Sequence, residues 1–286
     1  MGSMWTVQKE PMSLPIIDPR TCIVRNTARL KGRTRSVEPG TTAARHLHYG
    51  RIILDPSEAA VRVDPGTHET GLVCLGGEAT VAVDGQRFEM APYDAIYIPR
   101  DTTFEVSPRG AGCDLAELSA HVDHAYPLQF VRFDDVRRDS GLHFRTGGEN
   151  AMREINLLLA KNVQAGRIVA GVTFSDPGHW TSWPPHEHAV MLEEAYLYVA
   201  MPAPAFGVQL VYTNGAEPEL ATIVHEGDVV IMPRGYHPNV AAPGFRIGFL
   251  WMMAAEREGV DRQFGVVNVQ PEFAGMKSGL EAGKAK

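Results

Sequence analysis

The chain has 286 residues, 44% of them hydrophobic and 21% charged, with a formal net charge of −7. That composition describes a globular protein with ample material for a core, and the acidic balance without a Lys/Arg cluster excludes a nucleic-acid surface. Three scattered cysteines, Cys22, Cys74 and Cys113, exclude a disulfide framework and a cysteine-based zinc site, and they point to a reducing, cytoplasmic setting.

The opening MGSMWT matches a myristoylation pattern in form, but MGS reads as a cloning remnant before Met4. No apolar run approaches the roughly 20 residues that a membrane span needs. Strand signals then dominate. TGLVCLGG, EATVAVDG, QRFEMAP and DAIYIPR are short, rich in β-branched and aromatic residues, and bounded by Gly, Pro or Asp. The pair Asp84-Gly85 between alternating segments predicts a hairpin with a tight type I′ turn. Residues 135–155 are more charged and carry a Gly-Gly pair, which places a junction there. INLLLAKN within that region fits a strand or a helical turn equally well.

The strand texture returns after residue 166 in GRIVAGVTF, EAYLYVAM, GVQLVYT, ATIVHEG, DVVIMPRG and FRIGFLWMMA. Turn residues at such short intervals predict a sandwich or barrel. The closing KSGLEAGKAK has no apolar pattern and is expected to fray. The two strand-rich blocks read as diverged copies of one unit. Each reaches a D-x-x-x-x-P-R step, Asp94 to Arg100 and Asp228 to Arg234. The second copy continues to Gly235 and His237, where the first has Asp101 and Thr103.

The segment PPHEHAVMLEEAYLY, residues 184–198, carries the chemistry. On a strand, residues two apart share a face, so His186 and His188 project together. A carboxylate from Glu193 or Glu194 and the imidazole of His237 can complete a set of three nitrogens and one oxygen. Such a set suits zinc, iron, manganese, nickel or copper rather than calcium, and one position left for water or substrate marks a catalytic metal. Parity favours Glu194, which shares a face with Tyr196 and Tyr198. A second pair, His46 and His48, reads as structural or surface.

The spacing of His186, His188 and the glutamates, followed by Gly227, Pro233, Gly235 and His237, resembles the two motifs of the cupin superfamily. That resemblance implies an all-β chain of two tandem jelly-roll barrels: residues 1–145, with a degenerate metal site, and residues 146–286, which bind the metal. The stretches GGENAMREINLLL, GHWTSWPPHEH, LEEAYLY and EGDVVIMPRGYHPNVAAPGF are similar to the 5-deoxy-glucuronate isomerase family and its sister family, 5-keto-4-deoxyuronate isomerase. By motif spacing the superfamily selects Glu193; the closer family implies His186, His188, Glu194 and His237 as ligands of one divalent metal per chain, usually zinc. Glu187 and Ala189, and the short AVML loop, depart from the family's pattern, and that puts the exact substrate in doubt.

The implied reaction is an aldose–ketose isomerisation of a deoxy sugar acid, of the type that converts 5-deoxy-glucuronate to 2-deoxy-5-keto-gluconate in inositol catabolism. Tyr196, Tyr198 and Glu187 are the candidates for proton handling. Trp183, Gln209, Tyr212 and Arg234 are the candidates for substrate contact, with Arg153, Arg167 and Arg246 also available by position for the carboxylate. The expected partner is a small sugar acid, with no nucleic acid or membrane, and a homo-oligomer is plausible. The same ligand set also serves iron-dependent oxygen chemistry, and a sugar-binding bicupin without turnover is the third reading.

Overall fold

A computed structural model describes residues 14–188 and 190–276 of the chain. The MGSMWT and KSGLEAGKAK segments lie outside the described residues. The architecture is nearly all-β: two short α-helices, Pro19–Cys22 and Phe133–Arg138, accompany the strands. One sheet of eight strands spans residues 32–131. A second, of seven strands, joins residues 143–255 with the short strand Ile23–Val24. A four-stranded sheet that includes Gly207–Val211 and Asn239–Ala241 belongs to the same half as the second.

The hairpin at Asp84-Gly85 forms as its sequence dictates. Both residues have positive φ, 50° and 71°, and Val83 pairs with Gln86 across the turn. INLLL of INLLLAKN lies in the strand Arg153–Leu159, and AKN turns away from it. TGLVCLGG and EATVAVDG, expected as separate strands, are one strand, His68–Val83, with register shifts at Cys74/Gly76 and Gly77/Glu78. Those bulges bend the strand without breaking its ladder. Its long partner Phe104–His121 gave little sequence signal, because Pro108, Gly110 and Gly112 imitate a turn.

The segment that leads into each half pairs with the other half. Ile23–Val24 pairs with Val229–Met232 of the second sheet, and Gln129–Val131 pairs with Ala95–Ile98 of the first. The repeated aspartates anchor these crossings. Asp94 accepts from the backbone N–H of Ala91 (3.0 Å) and of Phe133 (2.8 Å). Asp228 accepts from His225 (3.1 Å) and Asn26 (3.0 Å) in the same pattern.

Two buried glutamates add a reciprocal clasp. Glu69, on a strand of the first sheet, accepts from three successive N–H groups of the second half: Gly166 (2.7 Å), Arg167 (2.6 Å) and Ile168 (2.8 Å). Glu193, on a strand of the second sheet, accepts from Arg45 (2.7 Å), His46 (2.7 Å) and Leu47 (2.5 Å) of the first half. Neither carboxylate is more than 1% exposed. Around the clasps runs one apolar layer drawn from both halves, including Tyr49, Val73, Tyr97, Leu118, Leu159, Leu197 and Leu250. Each sheet also has its own interior, built on Ile52, Leu72, Ile96 and Leu115 in the first and on Tyr196, Tyr198, Phe249 and Trp251 in the second.

Replacing Glu193 or Glu69 by Ala removes the acceptor of three backbone N–H groups. Each change is expected to cost about 3 kcal/mol or more, read as a lower midpoint of urea unfolding. A midpoint unchanged from the parent chain contradicts the clasp.

Candidate active site

The strand Leu192–Tyr198 is buried on both faces, and alternation divides its charges. Glu193 faces the other half of the molecule and is consumed by its clasp. Glu194 faces the interior of the second half. There its Oε2 lies 3.0 Å from Nε2 of His188 and 3.0 Å from Nε2 of His237. His186 completes the group: a ligand nitrogen from each of the three histidines lies within 4.8 Å of the others, the one such cluster among the described residues.

Local backbone aims the imidazoles. His186 and His188 flank Glu187, whose side chain goes to the opposite side, toward Asn268 on the paired strand. Nδ1 of His186 contacts the Pro184 carbonyl oxygen at 2.9 Å, and Nδ1 of His237 contacts that of Gly235 at 2.9 Å. Both contacts leave Nε2 as the inward atom. Gly235 has φ +87° and packs against the backbone of Tyr212, so no other residue type suits the turn that delivers His237.

The electrostatics are those of a ligand set. Burial, reinforced by His237 and His188, holds His186 well below the usual imidazole range, so it is neutral. Burial opposes ionisation of Glu194, but His188 and then His237 outweigh it and hold the carboxyl down at about 2. Burial also opposes a charge on His237, and contact with Glu194 overcomes it and raises the imidazole. Nδ1 of His188 and Nε2 of His237 are buried without a hydrogen-bond partner. The His237 nitrogen is close to Glu194 but off the line that a hydrogen bond requires. Nε2 of His188 shares a hydrogen bond with Glu194, while three imidazoles and a carboxylate gathered this closely are a donor set of the kind that a divalent transition metal takes.

The cavity beside this cluster is lined by Arg153, Ser182 and Tyr196 and by an apolar wall of Phe249, Trp251, Met253 and Phe264. Trp251 lies flat because Gly171 opposite it has no side chain: a Cβ there would stand 2.1 Å from the indole. Tyr196 bonds Ser182 through its hydroxyl at 2.7 Å.

Several residues singled out from sequence stand apart from the cavity. Tyr198 donates to Gln209 at 2.5 Å, and Gln209 donates to the His237 carbonyl at 2.9 Å. This pair holds the backbone behind a candidate ligand. Tyr212 donates to Gln270. Trp183 packs its ring against Trp180 and Phe273, outside the cavity. Arg234 donates to the Pro15 carbonyl and lines a separate groove together with Glu187. Proximity in sequence to a ligand is a poor guide here, because adjacent side chains on extended chain point to opposite faces. Arg153 is the arginine that reaches the cavity, and its place at the start of an interior strand was the available signal.

A scan of protein families matches residues 23–270 to the KduI/IolB family. The chain belongs to that family. Among curated proteins it is 27% identical over 252 residues to the 5-deoxy-glucuronate isomerase of Geobacillus kaustophilus, covering 82% of this chain and 89% of that one. It is 31% identical over 203 residues to the enzyme of the same name from Geobacillus thermodenitrificans, 65% of this chain and 72% of that one. Among solved structures, an IolB-like protein from Salmonella typhimurium superposes with a TM-score of 0.76 at 22% identity, over 88% of this chain and 98% of that one. Oxalate decarboxylase from Bacillus subtilis gives 0.64 at 11% identity, over 97% and 90%. These two likenesses show the cupin fold.

Among the described residues, the first half carries no such cluster. Thr70 follows the clasping Glu69 as Glu194 follows Glu193. Where Trp251 pairs with Tyr196, Glu117 pairs with Leu72, and Glu117 accepts a bidentate bond from Arg33 at 2.7 Å and a further one from Arg35 at 3.3 Å. Beside it His48, His68 and His121 form a row of edge-on rings 4.9 and 6.0 Å apart. Burial, then the charges of His68 and Arg35, push His48 down to about 4. An unfolded histidine titrates near 6.5, so above that pH both states are neutral and nothing is gained or lost. Between about 6.5 and 4 the unfolded chain takes the proton first, and stability falls as pH falls. His48→Asn is expected to flatten that acid limb in urea unfolding measured at pH 7, 6, 5 and 4. An unchanged slope contradicts the assignment.

Proposed function

We propose that the protein is a metal-dependent aldose–ketose isomerase, with a deoxy sugar acid of the 5-deoxy-glucuronate type as its substrate. The observation that carries the reading is the convergence of Glu194, His186, His188 and His237 beside a cavity, in a chain whose family relatives are named for that isomerisation. On this reading residues 146–286 are the metal-binding barrel and residues 1–145 its degenerate copy. The matched clasps of Glu69 and Glu193 and the matched anchors of Asp94 and Asp228 support that division.

His186, His188, Glu194 and His237 would hold the metal, with zinc the first candidate from the nitrogen-rich donor set. A divalent cation there supplies Lewis acidity to the carbonyl and adjacent hydroxyl oxygens of the sugar. The reaction moves a proton between the two carbons that bear those oxygens. Of the three residues suggested from sequence for proton handling, Tyr196 is the one in the cavity. Burial and then the charge of Glu194 hold its hydroxyl well above the usual phenol value, so it keeps its proton. It therefore acts as a hydrogen-bond donor to a substrate oxygen, oriented by Ser182. Tyr198 and Gln209 act indirectly, by fixing the backbone of His237.

The test is elemental analysis of the purified protein together with an isomerase assay on 5-deoxy-glucuronate. The expected result is one zinc or manganese per chain, with activity lost on chelation and restored by the metal. His237→Ala should lose the metal and lower kcat by about 100-fold or more, the scale of removing an electrostatic stabiliser. Tyr196→Phe should keep the metal and lower kcat by about 10-fold to 100-fold, as loss of one donor at a developing charge does. Stoichiometric iron, oxygen uptake and no isomerisation would transfer the protein to oxygen chemistry. A protein that binds no metal would make the three histidines structural.

A further inference from the structure

We propose that Arg153 recognises the carboxylate of the substrate, and so decides that the site takes a sugar acid rather than a neutral sugar. This rests on the isomerase reading above and names the residue behind its substrate class. Arg153 is 3% exposed, opens the strand Arg153–Leu159 and lines the cavity. It is the one Lys or Arg among the described residues that line it. Its Nη1 donates to the Ala151 carbonyl at 3.0 Å and its Nη2 to the Trp183 carbonyl at 2.9 Å. Those bonds fix the plane of the guanidinium. Trp183 is three residues before the ligand His186, so the same short segment orients both groups.

A planar guanidinium with its orientation fixed matches the two oxygens of a carboxylate, which a lysine ammonium does not. Arg167, Arg262 and Arg234 do not line the cavity. Arg167 donates to the carbonyls of His121, Ala255 and Glu256, Arg262 to those of Leu159, Ala160 and Ile168, and Arg234 to that of Pro15.

The rest of the wall explains why a deoxygenated carbon is tolerated. 5-Deoxy-glucuronate carries its aldehyde at one end, its carboxylate at the other, and a methylene beside the carboxylate. Phe249, Trp251, Met253 and Phe264 give the cavity an apolar side against which a methylene would pack. The polar atom of Trp251, Nε1, already donates to Thr173 at 3.1 Å.

The experiment compares kcat/KM for 5-deoxy-glucuronate and for 5-deoxyglucose, in which CH2OH replaces the carboxylate. It uses metal-loaded parent protein, Arg153→Met and Arg153→Lys. The expected result is a fall of about 100-fold or more for the acid in Arg153→Met, chiefly through KM, with the neutral sugar little changed. Arg153→Lys should keep part of the preference for the acid. Loss of both sugars at an unchanged ratio, or an acid rate that survives in Arg153→Met, overturns the proposal. If Arg153→Met does not fold, Arg153→Lys decides alone, and an unchanged acid-to-neutral ratio in it overturns the proposal. If the parent protein isomerises neither sugar, the isomerase reading fails. Calorimetric binding of the acid then decides Arg153: loss of binding in Arg153→Met supports it, and equal binding in both proteins overturns it.

Discussion

Glu193 and Glu194 are neighbours on one strand, and alternation sends them to opposite faces. Everything else about the site depends on that division. Glu193 accepts three backbone N–H groups from the first half of the chain, so the strand cannot rotate or slip by one residue. A slip of one would put Glu194 into the apolar layer between the halves and Glu193 among the histidines. The clasp is therefore a register device as well as a contact, and it fixes Glu194 against His188 and His237 to the precision that chemistry requires. Glu69 does the same in the other direction, so the two halves hold each other.

Burial is the second constraint. Four titratable side chains in one apolar interior are costly to keep unless they compensate one another. Glu194 is ionised, His186 is neutral, and His237 draws toward the carboxylate. Around them the supporting bonds are mostly to backbone carbonyls: Pro184 for His186, Gly235 for His237, and the Tyr198–Gln209 pair behind the His237 carbonyl. A set oriented from behind keeps its geometry whether or not a ligand is in front of it. In the first half the buried Glu117 is compensated instead by Arg33 and Arg35.

Much of this was legible in the sequence. Alternating strands, the Asp84-Gly85 hairpin and the repeated D-x-x-x-x-P-R step are local signals, since turn chemistry and side-chain period act over a few residues. The grouping of His186, His188 and His237 was legible for the same reason: each lies in a short motif whose glycines and prolines dictate its shape. The single strand His68–Val83 was not, because bulges at glycine pairs look like turns until a partner strand carries the ladder through them.

The sequence by itself determined an all-β chain with histidines on one interior face and a carboxylate one or two residues from the right parity. Only the tertiary structure decided which glutamate faces them. That choice is made by three N–H groups about 150 residues earlier in the chain, at separations of 148, 147 and 146. Tertiary packing also decided which arginine enters the cavity and which tyrosine. Arg153 and Tyr196 do, while Arg234, Tyr212 and Tyr198 are held elsewhere by Pro15, Gln270 and Gln209. The physical reason is range. Strand period and turn geometry are written in neighbouring residues, whereas the facing of a side chain into a shared interior is set by whichever distant strand packs against it.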